Sequence, residues 1–176
     1  MINYSYGNIA FLDGVCDLLK EVKKKFKIDK KNIYQTDDYP NKDIFKSDLI
    51  SNKHSIVALD GNKVVGFICF EDDFLDYDFV SLEDKDNFIK TTNLPLTNTN
   101  SVSFSRLMVD PKYHKQGIGS NLFKKLENEI HGKYNVIMIN PENNNVLKLY
   151  KDLGYKDCSS YKFVFGFFYL MYKYIE

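Results

Sequence analysis

Between Val102 and Ile130 the sequence runs from a strand, through a crossing with two glycines, into a helix. That succession restricts the chain to folds that layer helices on a sheet. Val102 to Val109 reads as a strand, and Asp110-Pro111 stops it, because proline has no N–H to give to a ladder. Ser120 to Ile130 sets Leu122, Phe123, Leu126 and Ile130 on one helical face, with Gly132 as the candidate C-cap. Gly117-Ile118-Gly119 opens that helix. N–H groups at a helix start have no partner within the helix, and the dipole adds partial positive charge there. Glycines keep side chains away from those donors, so the turn can cradle a phosphate or pyrophosphate. Taken alone, two glycines in a tight turn are equally explained by a conformational role. No Lys-Ser/Thr pair follows Gly119, which excludes a Walker A loop. The third glycine of the dinucleotide fingerprint is also missing, which excludes a Rossmann loop.

Periodicity organises the rest. Residues 2–6 read as a short strand, and Leu12, Val15, Leu19, Val22 and Phe26 give an amphipathic helix over about 9–26. A polar loop with Asp37-Asp38-Tyr39-Pro40 follows, then a shorter helix carrying Ile44, Phe45, Leu49 and Ile50. Ser55 to Leu59 and Val64 to Phe70 form a hairpin around Asp60-Gly61-Asn62-Lys63. Residues 71–101 read as a long connection with a helical turn or two around Leu82 to Ile89, a length that implies a function or mobility. Val136 to Ile139 is a strand, and Val146 to Leu153 is a helix capped by Gly154. Aromatic-rich strands near 160–165 and 167–174 finish the chain. The order β-α-α-β-β-β-α-β-α-β-β predicts an α/β (α+β) fold with one central mixed sheet and helices on both faces. The expected organisation is a single domain over 1–176, with 71–101 as its insertion.

Charge and cysteine usage narrow the function. Lys plus Arg equals Asp plus Glu at 24 each, without the basic excess usual in nucleic-acid-binding domains. Cys16, Cys69 and Cys158 form no CxxC pair and have no nearby His cluster, so neither a zinc site nor a disulfide framework is expected. Cys16 and Cys69 have apolar neighbours, whereas Cys158 sits in a polar stretch suited to exposure. The N-terminal residues lack the regions of a signal peptide, and the apolar run Phe163 to Tyr172 is too short to span a bilayer. A cytoplasmic protein with no nucleic-acid or membrane partner is the expectation, and a homodimer is left open.

Two segments carry a resemblance. His114-Lys115-Gln116-Gly117-Ile118-Gly119, after a strand ending Val109-Asp110-Pro111, resembles motif A of the GNAT superfamily, Gln/Arg-x-x-Gly-x-Gly/Ala. Asn143 to Tyr155, NNNVLKLYKDLGY, resembles the family's second signature, Asn-x-x-Ala-x-x-x-Tyr-x-x-x-Gly-Phe/Tyr, with Asn143, Tyr150 and Gly154 in register. The likeness covers about residues 2–174. It is closest to bacterial acetyltransferases with a YQ…YP segment, here Tyr34-Gln35 and Tyr39-Pro40. His114 stands where Gln or Arg is usual, and Val146 where Ala is usual.

The resemblance implies a GNAT-like, mostly antiparallel sheet of about seven strands that binds acetyl-CoA as cosubstrate without a metal. It implies that Leu107, Met108 and Val109 supply a backbone edge to the pantetheine arm, and that Lys115, Gln116, Gly117, Ile118, Gly119 and Ser120 form the pyrophosphate loop. Lys115 either adds charge there or is an ordinary exposed lysine. Asn143 contacts the cofactor, caps its helix, or does both. Tyr150 takes the place of the proton donor to the departing thiolate, for which a phenol of ordinary pKa near 10 is suited; the competing reading is a core tyrosine. No general base is assigned, because Ser103, Ser105, Met138 and Asn140 occupy the strand positions where a carboxylate is common. Glu71, Asp72 and Asp73 are candidates to act directly or through water, or are solvated loop residues. Arg106 holds either an acidic neighbour or a substrate carboxylate. Asp37 and Asp38 either attract a cationic amine or form a plain turn. The expected function is direct acetyl transfer to the amine of a small molecule or peptide. The alternative is a CoA-binding domain without transferase activity, acting as a sensor or assembly module.

Overall fold

The computed structural model describes residues 1–28, 40–50, 54–72, 74–77, 81–139, 144–163 and 166–176. Seven strands form a mixed sheet: β1 Ile2–Tyr6, β2 Ser55–Asp60, β3 Lys63–Glu71, β4 Ser101–Val109, β5 Lys133–Ile139, β6 Lys156–Phe163 and β7 Gly166–Ile175. Their order across the sheet is β1-β2-β3-β4-β5-β7-β6. β1 with β2, β2 with β3, β5 with β7 and β6 with β7 run antiparallel, while β4 with β5 runs parallel. The chain forms two compact units, Met1–Phe70 with Ser105–Glu129 and Glu71–Phe104 with Ile130–Glu176.

The first unit carries a 3-10 turn at Ile9–Phe11, α1 Leu12–Ile28, α2 Lys42–Ile50 and, after a second 3-10 turn at Pro111–Tyr113, α5 Ile118–Glu127. Strand alternation assigns its faces. Val57 and Phe67 pair across the β2–β3 ladder and pack with Val15, Leu18, Leu19 and Val22 of α1 and with Phe45 and Leu49 of α2. The next pair, Ala58 and Gly66, faces α5: a Cβ added at Gly66 would lie 3.0 Å from both Ile118 and Leu122, so a side chain there would push those two side chains aside by a few tenths of an ångström. Helices therefore cover both faces of this part of the sheet. The hairpin turns at Gly61, whose φ is +58°, as its turn signal requires. The side chain of Phe26 lies outside the described residues.

The second unit corrects the reading of residues 71–101. Instead of a connection with a turn or two, the segment holds α3 Phe74–Tyr77 and the eleven-residue α4 Leu82–Thr92. The Ser81 hydroxyl accepts from the Asp84 N–H at 3.1 Å, and Asn93 closes the other end in the left-handed conformation. Phe88 is fully buried, edge-to-face with Phe74 and Tyr161. Two further boundaries move. α5 spans 118–127 rather than 120–130, with Asn128 as its C-cap, and Gly132, at φ +69°, leads into β5 instead of capping the helix. β6 starts at Lys156, several residues earlier than its aromatic content suggested, because an edge strand keeps its pairing while exposing polar residues. α6 Asn144–Asp152 ends close to expectation.

Candidate active site

In the first unit the crossing from β4 to α5 is pinned at both ends. Asp110 is 1% exposed. Its main-chain N–H donates to the Val65 carbonyl at 2.9 Å, and its carboxylate accepts from Lys63 Nζ at 2.6 Å and from the Lys112 N–H at 3.0 Å. Burial pushes the Asp110 carboxyl up, but the Lys63 ammonium and the Lys112 N–H together outweigh it and hold the group below the ordinary carboxylate value. The Tyr113 hydroxyl donates to Asp60 Oδ2 at 2.7 Å, and a ring nitrogen of His114 lies 3.1 Å from the Val109 carbonyl. The residue standing in place of the usual Gln or Arg thus ties the loop to its own strand.

Beyond His114 the loop opens. Lys115 and Gln116 are exposed, and Lys115 adopts φ +62°, a left-handed conformation that its sequence gave no reason to expect. Gly117 has φ +76° and ψ 4° and caps α5 with no side-chain bond. A Cβ placed on Gly117 would meet nothing within 4 Å, so conformation, not crowding, calls for glycine there. The space that a side chain on Gly117 would enter is therefore open. Ile118 is buried and anchors the helix on Gly66, while Gly119 and Ser120, half-buried, occupy its first turn. The unpartnered N–H groups of that turn fit a pyrophosphate.

On β4, Met108 is buried in the core with α1 and α2, so its side chain is committed to packing, while Leu107 and Val109 are half-buried. What the strand can offer a ligand at Met108 is backbone. Arg106 resolves its two alternatives: Nε and Nη2 donate to Asp48 Oδ2 and Oδ1, each at 2.8 Å, with both side chains about nine-tenths buried. It holds an acidic neighbour. Its φ of +53° places a left-handed residue in the middle of a strand. Cys69 is buried beside Ser105, with its Sγ 3.3 Å from the serine Oγ.

In the second unit Tyr150 is 7% exposed on α6, its ring 5.8 Å from that of Tyr155. α6 ends in a Schellman cap: the Gly154 N–H donates to the Lys151 carbonyl and the Tyr155 N–H to the Tyr150 carbonyl, both at 3.0 Å, with Gly154 at φ +88°. Tyr155 Oη accepts from Asn135 Nδ2 at 2.6 Å, and Asn135 Oδ1 accepts from the Phe104 N–H at 3.0 Å. Asp48 and Asn135 are polar participants that the sequence did not single out, while Asp110 and Tyr155 stood in its motifs without an assigned role. Asn135 left one signal, an amide inside the apolar run of β5. Cys158 is half-buried rather than fully exposed, with its Sγ 3.1 Å from the Thr92 carbonyl, and burial pushes its thiol up. Ser103 is buried. Glu71 and Asp72 are half-buried. Asn143, Asn140, Asp73, Asp37, Asp38 and the segment Tyr34-Gln35 lie outside the described residues.

The family model described as the acetyltransferase (GNAT) family matches residues 19–155. The chain belongs to the GNAT acetyltransferase family. Solved GNAT structures share its fold. The acetyltransferase of the GNAT family from Streptococcus agalactiae 2603 superposes with a TM-score of 0.76 at 14% identity, over 99% of this chain and 96% of that one. The PaiA N-acetyltransferase from Thermoplasma acidophilum, in complex with coenzyme A, gives 0.65 at 15% identity, over 99% of each chain. The ribosomal-protein-S18-alanine N-acetyltransferase from Escherichia coli gives 0.61 at 16% identity, over 100% of this chain and 95% of that one. No curated protein matches the sequence. Among the described residues of this GNAT chain, no group of three His, Cys, Asp or Glu side chains could hold a metal ion, and no helix is long and apolar enough to cross a membrane.

Proposed function

We propose that the chain is an N-acetyltransferase that uses acetyl-CoA to acetylate the primary amine of a small molecule or peptide. The carrying observation is Gly117 at the start of α5, left-handed and with no atom beyond its chain neighbours and its own helix backbone within 4 Å of where a Cβ would lie. Residues 115–120 would hold the pyrophosphate through main-chain N–H groups, and residues 107–109 would offer main-chain bonds to the pantetheine arm. Asn143 would add a polar contact. The structural relatives in complex with coenzyme A and with alanine-acetylating activity support this class of cosubstrate and acceptor.

Bound acetyl-CoA supplies a thioester. The neutral amine forms the new C–N bond as the C–S bond breaks, its surplus proton leaves to solvent or a base, and the Tyr150 hydroxyl gives its proton to the leaving sulfur and regains one from solvent. Direct attack suits the residues present, since no Cys–His nucleophilic pair stands out in the sequence. We further propose that residues 1–176 act as one catalytic domain, with 71–101 as its insertion, in the cytoplasm.

One observation favours a different reading. β4 and β5 carry no Asp or Glu, so neither strand supplies a general base, as suits a CoA-binding module without transferase activity. Acetyl transfer measured against a panel of small and peptide amines decides between them. Turnover on any amine, dependent on enzyme and acetyl-CoA, establishes the transferase. Acetyl-CoA binding by calorimetry with no transfer across the panel establishes the binding module.

A further inference from the structure

We propose that Asn135 and Tyr155 are positioning residues that set the ring of Tyr150, a role that rests on the reading of Tyr150 as proton donor. β4 and β5 pair in parallel at Ser101 with Tyr134 and at Val102 with Asn135. Two residues further along β4, where a continuing ladder would offer a main-chain carbonyl, the Phe104 N–H is met by the side-chain oxygen of Asn135 at 3.0 Å. An amide side chain thus stands where strand pairing gives way.

The main-chain donor also fixes which way that amide faces. Oδ1 must point at Phe104, so Nδ2 points away from it and donates to Tyr155 Oη at 2.6 Å. Asn135 is fully buried and Tyr155 is 4% exposed, which keeps water from substituting for either bond. Tyr155 is fixed from its other side by the Schellman cap, through its N–H on the Tyr150 carbonyl. The rings of Tyr150 and Tyr155 lie 5.8 Å apart, tilted by 52°. The result is a continuous path from the β4 main chain, through Asn135 and Tyr155, to the phenol of Tyr150.

Packing alone gives no reason for an amide here. Val136, Ile137 and Ile139 fill neighbouring buried positions of β5 with hydrocarbon, and a buried amide is favourable only when its partners are fixed. Both partners of Asn135 are fixed, and one of them abuts Tyr150.

The test is a double-mutant cycle on acetyl transfer to the best amine of the panel. Tyr155→Phe keeps the ring and removes only the acceptor of the Asn135 amide. It should lower kcat roughly tenfold, with the KM for acetyl-CoA unchanged. In the Tyr150→Phe background the same substitution should change kcat by less than about twofold, because the group being positioned is already gone. Equal losses in both backgrounds, or no loss in either, would overturn the positioning role while leaving Tyr150 as donor. Full turnover in Tyr150→Phe alone would overturn the donor assignment and the positioning role with it. A second measurement needs no turnover. In protein labelled at tyrosine Cζ, the carbon resonance that Tyr150→Phe removes should shift in Tyr155→Phe and in Asn135→Leu. An unmoved resonance in a folded Tyr155→Phe sample overturns the proposal.

Discussion

Tyr150 is buried on α6 against Tyr155, and its proposed role as proton donor turns on a single hydroxyl. Tyr150→Phe keeps the buried ring, so acetyl-CoA affinity should hold while kcat falls on the order of 10²-fold, the lower end for a positioned general acid. Steady-state kinetics with both substrates varied would check this. Unchanged kcat with a lower Tm would make Tyr150 a core residue. Gly117 tests the other half of the chemistry. Gly117→Val forces a β-branched residue to φ +76° and adds a side chain at the start of the proposed pyrophosphate loop. Charge-assisted bonds contribute about 1.5–3 kcal/mol each, so losing two should weaken acetyl-CoA binding by at least roughly tenfold. Calorimetry on the folded variant measures it, and an unchanged Kd would remove the loop from the binding site. At Arg106 the usual ranking of strand substitutions should invert. Arg106→Ala leaves Asp48 buried without its partner, at about 3–5 kcal/mol. Arg106→Gly loses the same ion pair but relieves the left-handed backbone at φ +53°, so it should be less destabilising by about 1 kcal/mol. Urea unfolding of the two variants decides. An alanine variant as stable as the glycine one would show that β4 carries no strain there.

The crossing between β4 and α5 makes its own statement about pH. Asp110 lies below the ordinary carboxylate value when folded, so it contributes stability above about pH 4, and that contribution is lost as the pH falls through its folded value. Lys63 is 52% exposed, and solvent screening limits the pair to about 1 kcal/mol. Asp110→Asn should therefore lower Tm by a few degrees at pH 7, and thermal melts should show the gap closing below about pH 4. A gap that persists at pH 3 would assign the loss to packing. The elements themselves were legible where periodicity is strong, as in α1, the β2–β3 hairpin and the two-glycine entry to α5. α4 was read only as a helical turn or two around Leu82 to Ile89, because Glu83, Asp84, Lys85 and Asp86 mask its apolar stripe, Leu82 is exposed, and burial is concentrated at Phe88 and Thr92. Its Ser81 cap was present in the sequence but had no strong period behind it. The glycine at the entry to α5 was legible because a left-handed turn before a helix calls for that residue, here Gly117 at φ +76°. Asp48 and Asn135 were not, since their partners lie 58 and 31 residues away along the chain. Nothing local encodes such a pairing.

On the scale of the whole chain, each unit is built from two separated stretches of sequence. Fragment Met1–Phe70 contains most strands and helices of the first unit but lacks α5, whose Ile118 and Leu122 cover Gly66, and it lacks Met108 from the other face. Expressed alone, it should show no cooperative unfolding by circular dichroism, and a sharp transition would show that α5 is dispensable for this unit. The same interleaving has a consequence during protein synthesis. When Phe70 has been made, the β2–β3 hairpin has no helix for its Ala58–Gly66 face, and the first unit cannot close until Glu129 has followed. At ordinary elongation rates that interval is roughly 3–12 s, during which a nascent chain presents an apolar strand surface to the cell. Its fate on the ribosome thus depends on a helix not yet translated.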